Sequence, residues 1–111
     1  MFKKNNHNFS FIKNNKELDQ FIAKIKNNKK FFFDTEFERR STYKAIISVI
    51  VIFDGKNIGI IDCLEKNINF KKIFKFLNKK KITLVIHSCR QDLEIFLSLV
   101  KKILFSVFDT Q

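Results

Sequence analysis

Apolar residues in the first third of the chain recur at two different spacings. Between positions 18 and 25 they follow a helical period, which predicts an amphipathic helix. Asn14, followed three residues later by Glu17, has the spacing of a helix N-cap box directly before this stripe. The short apolar segment ahead of it, residues 9–12, predicts an edge strand.

Three strand-like segments follow the first helix. Residues 31–37, 45–53 and 58–62 are rich in phenylalanine, isoleucine and valine, and the second of them is apolar almost throughout. We expect that second strand to be buried on both faces. Because a turn containing Gly55 separates the last two strands, the three segments predict an antiparallel meander.

The second half of the chain alternates between helix and strand spacing. Asn69 is placed to cap a helix, and a buried strand is expected at residues 82–86. A further helix should follow His87 and Ser88 and extend to Leu104, with one more strand at residues 105–108. An antiparallel meander followed by parallel β-α-β units predicts a mixed α/β sheet.

Length and composition indicate one unit without a second domain. The chain has 111 residues, 45% of them hydrophobic, which is enough for a core and argues against disorder. Its two cysteines are far apart and no apolar leader follows Met1, so we expect a reducing, cytoplasmic location. The longest apolar run is far shorter than the roughly 20 residues of a membrane span, so no membrane association is expected.

The net charge has two readings that the composition leaves open. A formal charge of +11 suits a polyanionic partner such as nucleic acid. Lysine, isoleucine, phenylalanine and asparagine are all encoded by codons rich in A and T, so genomic drift explains the lysine excess equally well. The acidic residues gather between positions 31 and 65, flanked by two basic segments. A lysine run at positions 79–81 fits a solvated turn better than a phosphate contact.

Acidic residues at two places could perform chemistry. Strand alternation places Asp34 and Glu36 on the same face, and neighbouring carboxylates suit a hard divalent ion such as Mg²⁺ or Mn²⁺. The alternative is a solvent-facing strand end. Asp92 falls in the first turn of the third helix, where it could point back toward the sheet or simply stabilise the helix dipole.

Four sequence blocks carry a resemblance to a known family. They are FDTEF at residues 33–37, FDG at 53–55, HSCRQDLE at 87–94 and FDTQ at 108–111. In this order they resemble ribonuclease D, of the DEDD group of 3'-5' exonucleases, over residues 9–111. The resemblance implies a ribonuclease H-like fold and stepwise removal of nucleotides from RNA 3' ends, typically in the maturation of transfer RNA precursors.

The same resemblance implies which residues are catalytic. Asp34 and Glu36 correspond to the first exonuclease motif and Asp92 to the second, all three being metal ligands in the family. Two ions, Mg²⁺ or Mn²⁺, would then activate the attacking water and stabilise the leaving 3'-oxygen. His87 is interpreted as a packing or hydrogen-bonding residue, and Glu38 as a solvated loop residue.

One family motif has no counterpart in these 111 residues. It consists of a tyrosine or histidine followed by a fourth acid, and the sole tyrosine, Tyr43, lies upstream without an acid four positions later. We therefore expect an amino-terminal part of the exonuclease domain, incomplete at the C-terminus and weakly active or inactive alone, with a separately encoded C-terminal part as one possible partner. Two alternatives stay open, a lysine-rich nucleic-acid-binding remnant without catalysis and a non-functional or partner-dependent fragment.

Overall fold

A computed structural model describes residues 8–41, 44–87 and 89–111, and within these ranges the chain forms six strands and three helices. Tyr43 and Ser88 lie outside the described residues. In chain order the elements are β1 (Asn8–Ile12), α1 (Asn15–Ile25), β2 (Lys30–Ser41), β3 (Lys44–Phe53), β4 (Asn57–Asp62), α2 (Lys71–Leu77), β5 (Thr83–Ile86), α3 (Arg90–Leu99) and β6 (Ser106–Asp109).

The strands form one mixed sheet in the order β1-β4-β3-β2-β5-β6. Strands β2, β3 and β4 are antiparallel neighbours, which confirms the predicted meander. Strands β5 and β6 continue from β2 in parallel, as the sequence predicts. Strand β1 is at the edge, as predicted, and the structure shows that it pairs in parallel with β4. The expected α/β class is therefore confirmed, and antiparallel and parallel pairing meet at β2 and at β4.

Helix α1 begins with the predicted capping box. The backbone N–H of Glu17 donates to Asn14 Oδ1 at 2.8 Å, and the Glu17 carboxylate accepts from the N–H of Lys13 at 2.8 Å. The apolar side of the helix lies tightly on β4, because a Cβ atom added to Gly59 would lie 2.5 Å from the ring of Phe21. Glycine at position 59 is thus required by a close approach of helix and strand.

All three helices pack on the same face of the sheet, here called the covered face. In its centre the ring of Phe33 lies 5.8 Å from Phe74 of α2 and 5.4 Å from Phe96 of α3. Phe74 and Phe96 contact each other edge to face at 4.6 Å. These rings join the two β-α units to the meander in one core.

The opposite side, here called the open face, has no helix over it among the residues that the structure describes. Ladder pairing places on it side chains from all six strands: Phe9, Phe11, Phe32, Asp34, Glu36, Val49, Val51, Phe53, Ile58, Ile60, Val85 and Phe108. The expectation that β3 is buried on both faces is wrong for this reason. Ile50 and Ile52 are fully buried on the covered face, whereas Val49 and Val51 on the open face are only half-buried.

Two further expectations about element ends are wrong. Phe70, not Asn69, is the N-cap of α2, and no side chain caps this helix. Asn69 contributes its carbonyl, which accepts from the N–H of Lys72 at 3.2 Å, and its own N–H donates to Asn15 Oδ1 at 2.7 Å. Helix α3 ends at Leu99 because Asn78 holds the following segment in a loop. Its side chain donates to the carbonyl of Lys102 at 2.9 Å and accepts from the N–H of Leu104 at 2.8 Å.

Three smaller observations complete the description. Glu38 lies within β2 and not in a loop, although its side chain is exposed as expected. Both cysteines are free. Within the described ranges, no helix has the length and apolar character needed to cross a membrane.

Candidate active site

Asp34 and Glu36 lie on the open face of β2, as strand alternation predicts. In the ladder with β3, Asp34 is opposite Val51 and Glu36 is opposite Val49. Both carboxylates are exposed. The two acids therefore stand beside apolar side chains of the adjoining strand β3 on the open face.

Two residues that follow β5 and β6 align with Asp34. Phe32, Val85 and Phe108 are paired across β2, β5 and β6, so two positions further on Asp34, His87 and Thr110 share one row. These three line a groove of about 340 Å³ together with Phe32 and Phe53. The groove lies at the carboxyl ends of parallel strands, the usual position of ligand sites in open α/β sheets.

His87 makes a hydrogen bond within this row. Its Nδ1 lies 3.0 Å from the hydroxyl oxygen of Thr110, and the ring is exposed. The interpretation of His87 as a hydrogen-bonding residue is thus confirmed. Thr110 is held in turn by its N–H, which donates to the carbonyl of Ile86 at 3.1 Å.

Asp92 reaches the same strand from the other side. It lies in the first turn of α3 with only 5% of its surface exposed, and its carboxylate accepts a hydrogen bond from the hydroxyl of Thr35. Thr35 is itself buried on the covered face between Asp34 and Glu36. Of the two orientations that the sequence left open for Asp92, the structure shows the one directed at the sheet.

Electrostatics tie Asp92 to Asp34. Burial raises the pKa of Asp92 above its usual value, the hydrogen bond from Thr35 opposes that shift, and the negative charge of Asp34 adds to it. Two carboxylates are thus close enough to repel each other at the centre of the sheet. A bound cation would offset the energetic cost of burying the Asp92 charge and would also reduce the repulsion between the two carboxylates.

The three acids have the chemistry of a divalent-ion site but not its arrangement. Their oxygen donors are the ligands that Mg²⁺ and Mn²⁺ prefer. However, no group of three histidine, cysteine or acidic side chains in the described part of the chain is arranged to hold a metal. The reason is the strand itself, since Asp34 and Glu36 project from one face of β2 and Asp92 is bonded to Thr35 on the other.

Sequence reasoning missed two positioning contacts. Thr35 orients Asp92, and the signal was a hydroxyl residue placed on the buried side of an acidic strand segment. Asp109 accepts from the backbone N–H of Cys89, the N-cap residue of α3, at 3.2 Å, and a side-chain hydrogen bond with Asp109 raises the pKa of the Cys89 thiol. The FDTQ block thus ties the end of β6 to the start of the helix that carries Asp92.

Fold and site together define an α/β domain of the ribonuclease H-like class, with a groove at its strand ends that Asp34 lines. The chain belongs to the 3'-5' exonuclease family, whose model matches residues 9–111. Within that family its relatives are ribonucleases D. The enzyme of that name from Shewanella sp. (strain ANA-3) is 28% identical over 109 residues, which are 98% of this chain and 28% of the relative.

Solved structures agree with this family. The chain is similar to Escherichia coli RNase D, an exoribonuclease involved in structured RNA processing, with a TM-score of 0.76 and 27% identity. That match covers 93% of this chain and 27% of the E. coli chain. The exonuclease (EXO) domain of Aedes aegypti Nibbler shares the fold at a TM-score of 0.77 and 10% identity, covering 97% of this chain and 54% of that domain. The chain thus spans between 19% and 28% of the length of these curated ribonucleases D.

Proposed function

We propose that this chain carries the carboxylate-bearing part of a ribonuclease D-type 3'-5' exoribonuclease. Phosphodiester bonds at RNA 3' ends are the substrate in this proposal, and transfer RNA precursors in the cytoplasm are the natural RNA. The observation that supports it best is Asp92, a buried acid bonded to Thr35 midway between Asp34 and Glu36. A carboxylate kept in such an unfavourable environment is typical of a functional site.

In this proposal Asp34, Glu36 and Asp92 are catalytic and hold Mg²⁺ or Mn²⁺. When bound, such ions activate water and stabilise the oxygen that leaves the phosphorus. Thr35 keeps the Asp92 carboxylate directed at β2, and Asp109 fixes the helix start from which Asp92 extends. The apolar wall formed by Phe32 and Phe53 suits the base and sugar of a terminal nucleotide.

A further part of the proposal is that this activity needs additional polypeptide. The family resemblance implies a fourth acid, following a tyrosine or histidine, that these 111 residues do not supply at the matching position. Polypeptide that carries this acid is the proposed source. Without it, a site with fewer carboxylates should bind the second ion weakly, and we expect the chain alone to trim RNA slowly if at all.

A second candidate function is RNA binding without catalysis. Lys29, Lys30 and Lys81 line a groove with Phe108 on the open face, and lysines beside an exposed aromatic ring suit a single-stranded nucleic acid. Such binding should weaken steeply with salt and should not depend on Asp34.

The two candidates are separated by following a 5'-labelled RNA with the chain alone and with the unmatched remainder of the Shewanella ribonuclease D added. Catalysis predicts metal-dependent shortening from the 3' end that falls at least about 100-fold in Asp34→Asn and in Asp92→Asn. Glu94→Gln, an exposed acid on the same helix as Asp92, is the matched control and should leave the rate unchanged.

Binding of Mn²⁺ gives a second readout that does not require activity. The ion should raise the melting temperature of the original chain and of Glu94→Gln, and should raise it less in Asp34→Asn. Shortening that persists without divalent metal, or that survives Asp34→Asn, would reject the catalytic proposal.

A further inference from the structure

The charged residues divide between the two ends of the sheet. Every strand except β3 runs in the same direction, so these strands have a common carboxyl end, where Asp34 lies, and a common amino end. All eleven acidic residues fall within the described ranges, and ten of them lie toward the carboxyl end. These ten are on β2 from Asp34 onward, at the ends of β4 and β6, in the loop after β4, or in the first half of α1 or α3.

Three segments at the amino end carry lysines without acids. Residues 26–30, 78–83 and 100–106 lead into β2, β5 and β6, and together they contain eight lysines and no acidic residue. All eight lysines are exposed. The run at positions 79–81, which taken alone predicts a solvated turn, is thus joined in space by two further lysine segments. The surface formed by the three segments is called here the lysine end.

Hydrogen bonds hold the three segments of the lysine end side by side. The N–H of Thr83 donates to the carbonyl of Lys29 at 2.7 Å, which joins the first segment to the second. The side chain of Asn78 donates to the carbonyl of Lys102 at 2.9 Å and accepts from the N–H of Leu104 at 2.8 Å, which joins the second to the third. The backbones that carry the lysines are therefore fixed relative to one another.

Helix dipoles and compositional drift do not account for this arrangement. A lysine stabilises a helix dipole only within the last turn, and Lys24 and Lys75 already hold that position in α1 and α2. Helix α3 has no basic residue in its last turn, although Lys101 and Lys102 follow it. Drift explains the number of lysines in the chain but not the absence of acids among these eight.

The side chains of the lysine end suit a phosphate backbone and not the bases. Lysine is a point charge that attracts phosphate, and the three segments contain no arginine for bidentate contacts. Their one aromatic residue, Phe105, is only 6% exposed, so it offers no ring on which a base could stack. Such a surface binds best where phosphates are densest, which is along a duplex.

The lysine end and the candidate active site lie at opposite ends of β5. Lys81 precedes this strand and His87, in the row of Asp34, follows it six residues later, which is about 20 Å at the rise of a strand. Each strand of a duplex places one phosphate about every 3.4 Å along the axis, so about six phosphates span this separation. A stem of at least about this length could contact the lysine end while its 3' overhang reaches Asp34.

We propose that the lysine end docks the duplex part of an RNA whose unpaired 3' end reaches Asp34. The inference rests on the proposed function for the identity of the polyanion, and it adds the substrate class, a stem with a short 3' overhang. Lys79, Lys80, Lys101 and Lys102 contact the stem phosphates. They are separate from the groove of the open face, which Lys29, Lys30 and Lys81 line beside Phe108.

The direct experiment measures fluorescence anisotropy of labelled RNA hairpins in EDTA, where metal-dependent cleavage does not take place. Two hairpins carry the same 3' overhang on stems of about four and about twelve base pairs, chosen to lie below and above the span estimated from phosphate spacing. The longer hairpin should bind at least about tenfold tighter than the shorter one and than an unpaired RNA of its own length.

The triple variant Lys80→Gln, Lys101→Gln, Lys102→Gln removes three charges from exposed positions. Lys79 is kept, because its ammonium group lies 4.8 Å from the centre of the Phe76 ring and is part of the packing. Affinity for the longer hairpin should fall at least about tenfold, and the slope of log affinity against log salt concentration should decrease by about three.

The matched control is the triple variant Lys16→Gln, Lys66→Gln, Lys71→Gln. It removes the same charge from exposed lysines toward the carboxyl end. Its affinity for the longer hairpin should stay within about threefold of the original, and its salt slope should change by less than about one. Unchanged melting temperatures show that both triple variants fold.

Three outcomes would overturn the proposal. They are equal losses of affinity in the two triple variants, equal binding of the two hairpins, and an unpaired RNA that binds as tightly as the longer hairpin. Phosphatidylserine vesicles test the other polyanionic surface, and retention on them that only the lysine-end variant loses, with hairpin binding unchanged, would assign the lysine end to a membrane.

Failure of the nuclease proposal would look different. Hairpin binding in EDTA that depends on the lysine end, without metal-dependent shortening of RNA, supports the docking surface and rejects catalysis. Metal-dependent shortening by a chain whose hairpin binding ignores the lysine end supports catalysis and rejects the docking surface.

Discussion

The two faces of β2 differ in what they contribute to the molecule. On the covered face Phe31, Phe33 and Thr35 are buried, and the two rings pack against α2 and α3. On the open face Phe32, Asp34 and Glu36 are exposed. Alternation along one strand thus separates the residues that stabilise the fold from those available for chemistry and binding. Substitutions at adjacent positions should therefore have very different effects.

The largest difference is expected between Phe33 and Phe32. Phe33→Ala should lower the free energy of unfolding by about 3 to 5 kcal/mol, because its ring fills the junction of β2, α2 and α3. Phe32→Ala removes a ring that is 46% exposed and should cost no more than about 1 kcal/mol. Urea unfolding measures both, and similar losses would contradict the assignment of the two faces.

A smaller effect is expected at Gly59, where helix α1 packs directly on strand β4. Gly59→Ala places a methyl group against the Phe21 ring and should cost about 1 to 3 kcal/mol by overpacking. Gly55→Asn is the control, since that turn position has φ of +98° and open space around it, and asparagine tolerates such a conformation. Melting temperatures compare the two variants. An unchanged melting temperature in Gly59→Ala would show that α1 shifts away from β4 to accommodate the added methyl group.

Much of the covered face could be predicted from local patterns. The box formed by Asn14 and Glu17, the meander and the parallel strands all follow from periodicity and turn residues, which act over short stretches. What failed depends on distant contacts. The end of α3 is set by Asn78, more than twenty residues earlier, and the exposure of β3 on one side depends on where every helix packs.

The candidate site divides in the same way. That Asp34 and Glu36 share a face is a property of any strand and needs no tertiary information. That Asp92 meets Thr35 depends on α3 returning over β2, and the sequence allowed a simple helix-dipole role equally well. Periodicity describes residues that are close in sequence, so it does not predict a side-chain contact between residues more than fifty positions apart. The role of Thr35 was missed for this reason.

The N-cap of α1 allows a further comparison, between a capping residue and an exposed residue of the same helix. Asn14→Ala should cost about 1 kcal/mol, because the N–H of Glu17 loses its acceptor. Gln20→Ala, at an exposed position of the same helix, should be neutral or slightly stabilising. Chemical unfolding distinguishes them, and equal stabilities would mean that packing of α1 on Gly59 holds the helix start without its cap.

The smallest effect is expected where the two faces meet, at Asp92 and Asp34. Since burial and the charge of Asp34 raise the folded-state pKa of Asp92 above 3.8, its contribution to stability is complete below that pH and is lost as the pH rises through the folded pKa. Asp92→Asn keeps an acceptor for Thr35 and removes the charge. In EDTA it should be more stable than the original chain at neutral pH, by less than about 1 kcal/mol, and should show no such gain near pH 3.

Asp34→Asn tests whether the coupling crosses the strand. The variant removes the repulsion between the carboxylates of Asp34 and Asp92, so the pH range over which the chain loses stability should become narrower. Glu94→Gln, exposed on α3, is the control and should leave that pH range unchanged. Melting temperatures from pH 3 to 8 for the single variants and for Asp34→Asn combined with Asp92→Asn give the coupling directly. If the changes in melting temperature at neutral pH are strictly additive, the carboxylates on the two faces of β2 do not interact. The proposal of a shared metal site would then lose its electrostatic support.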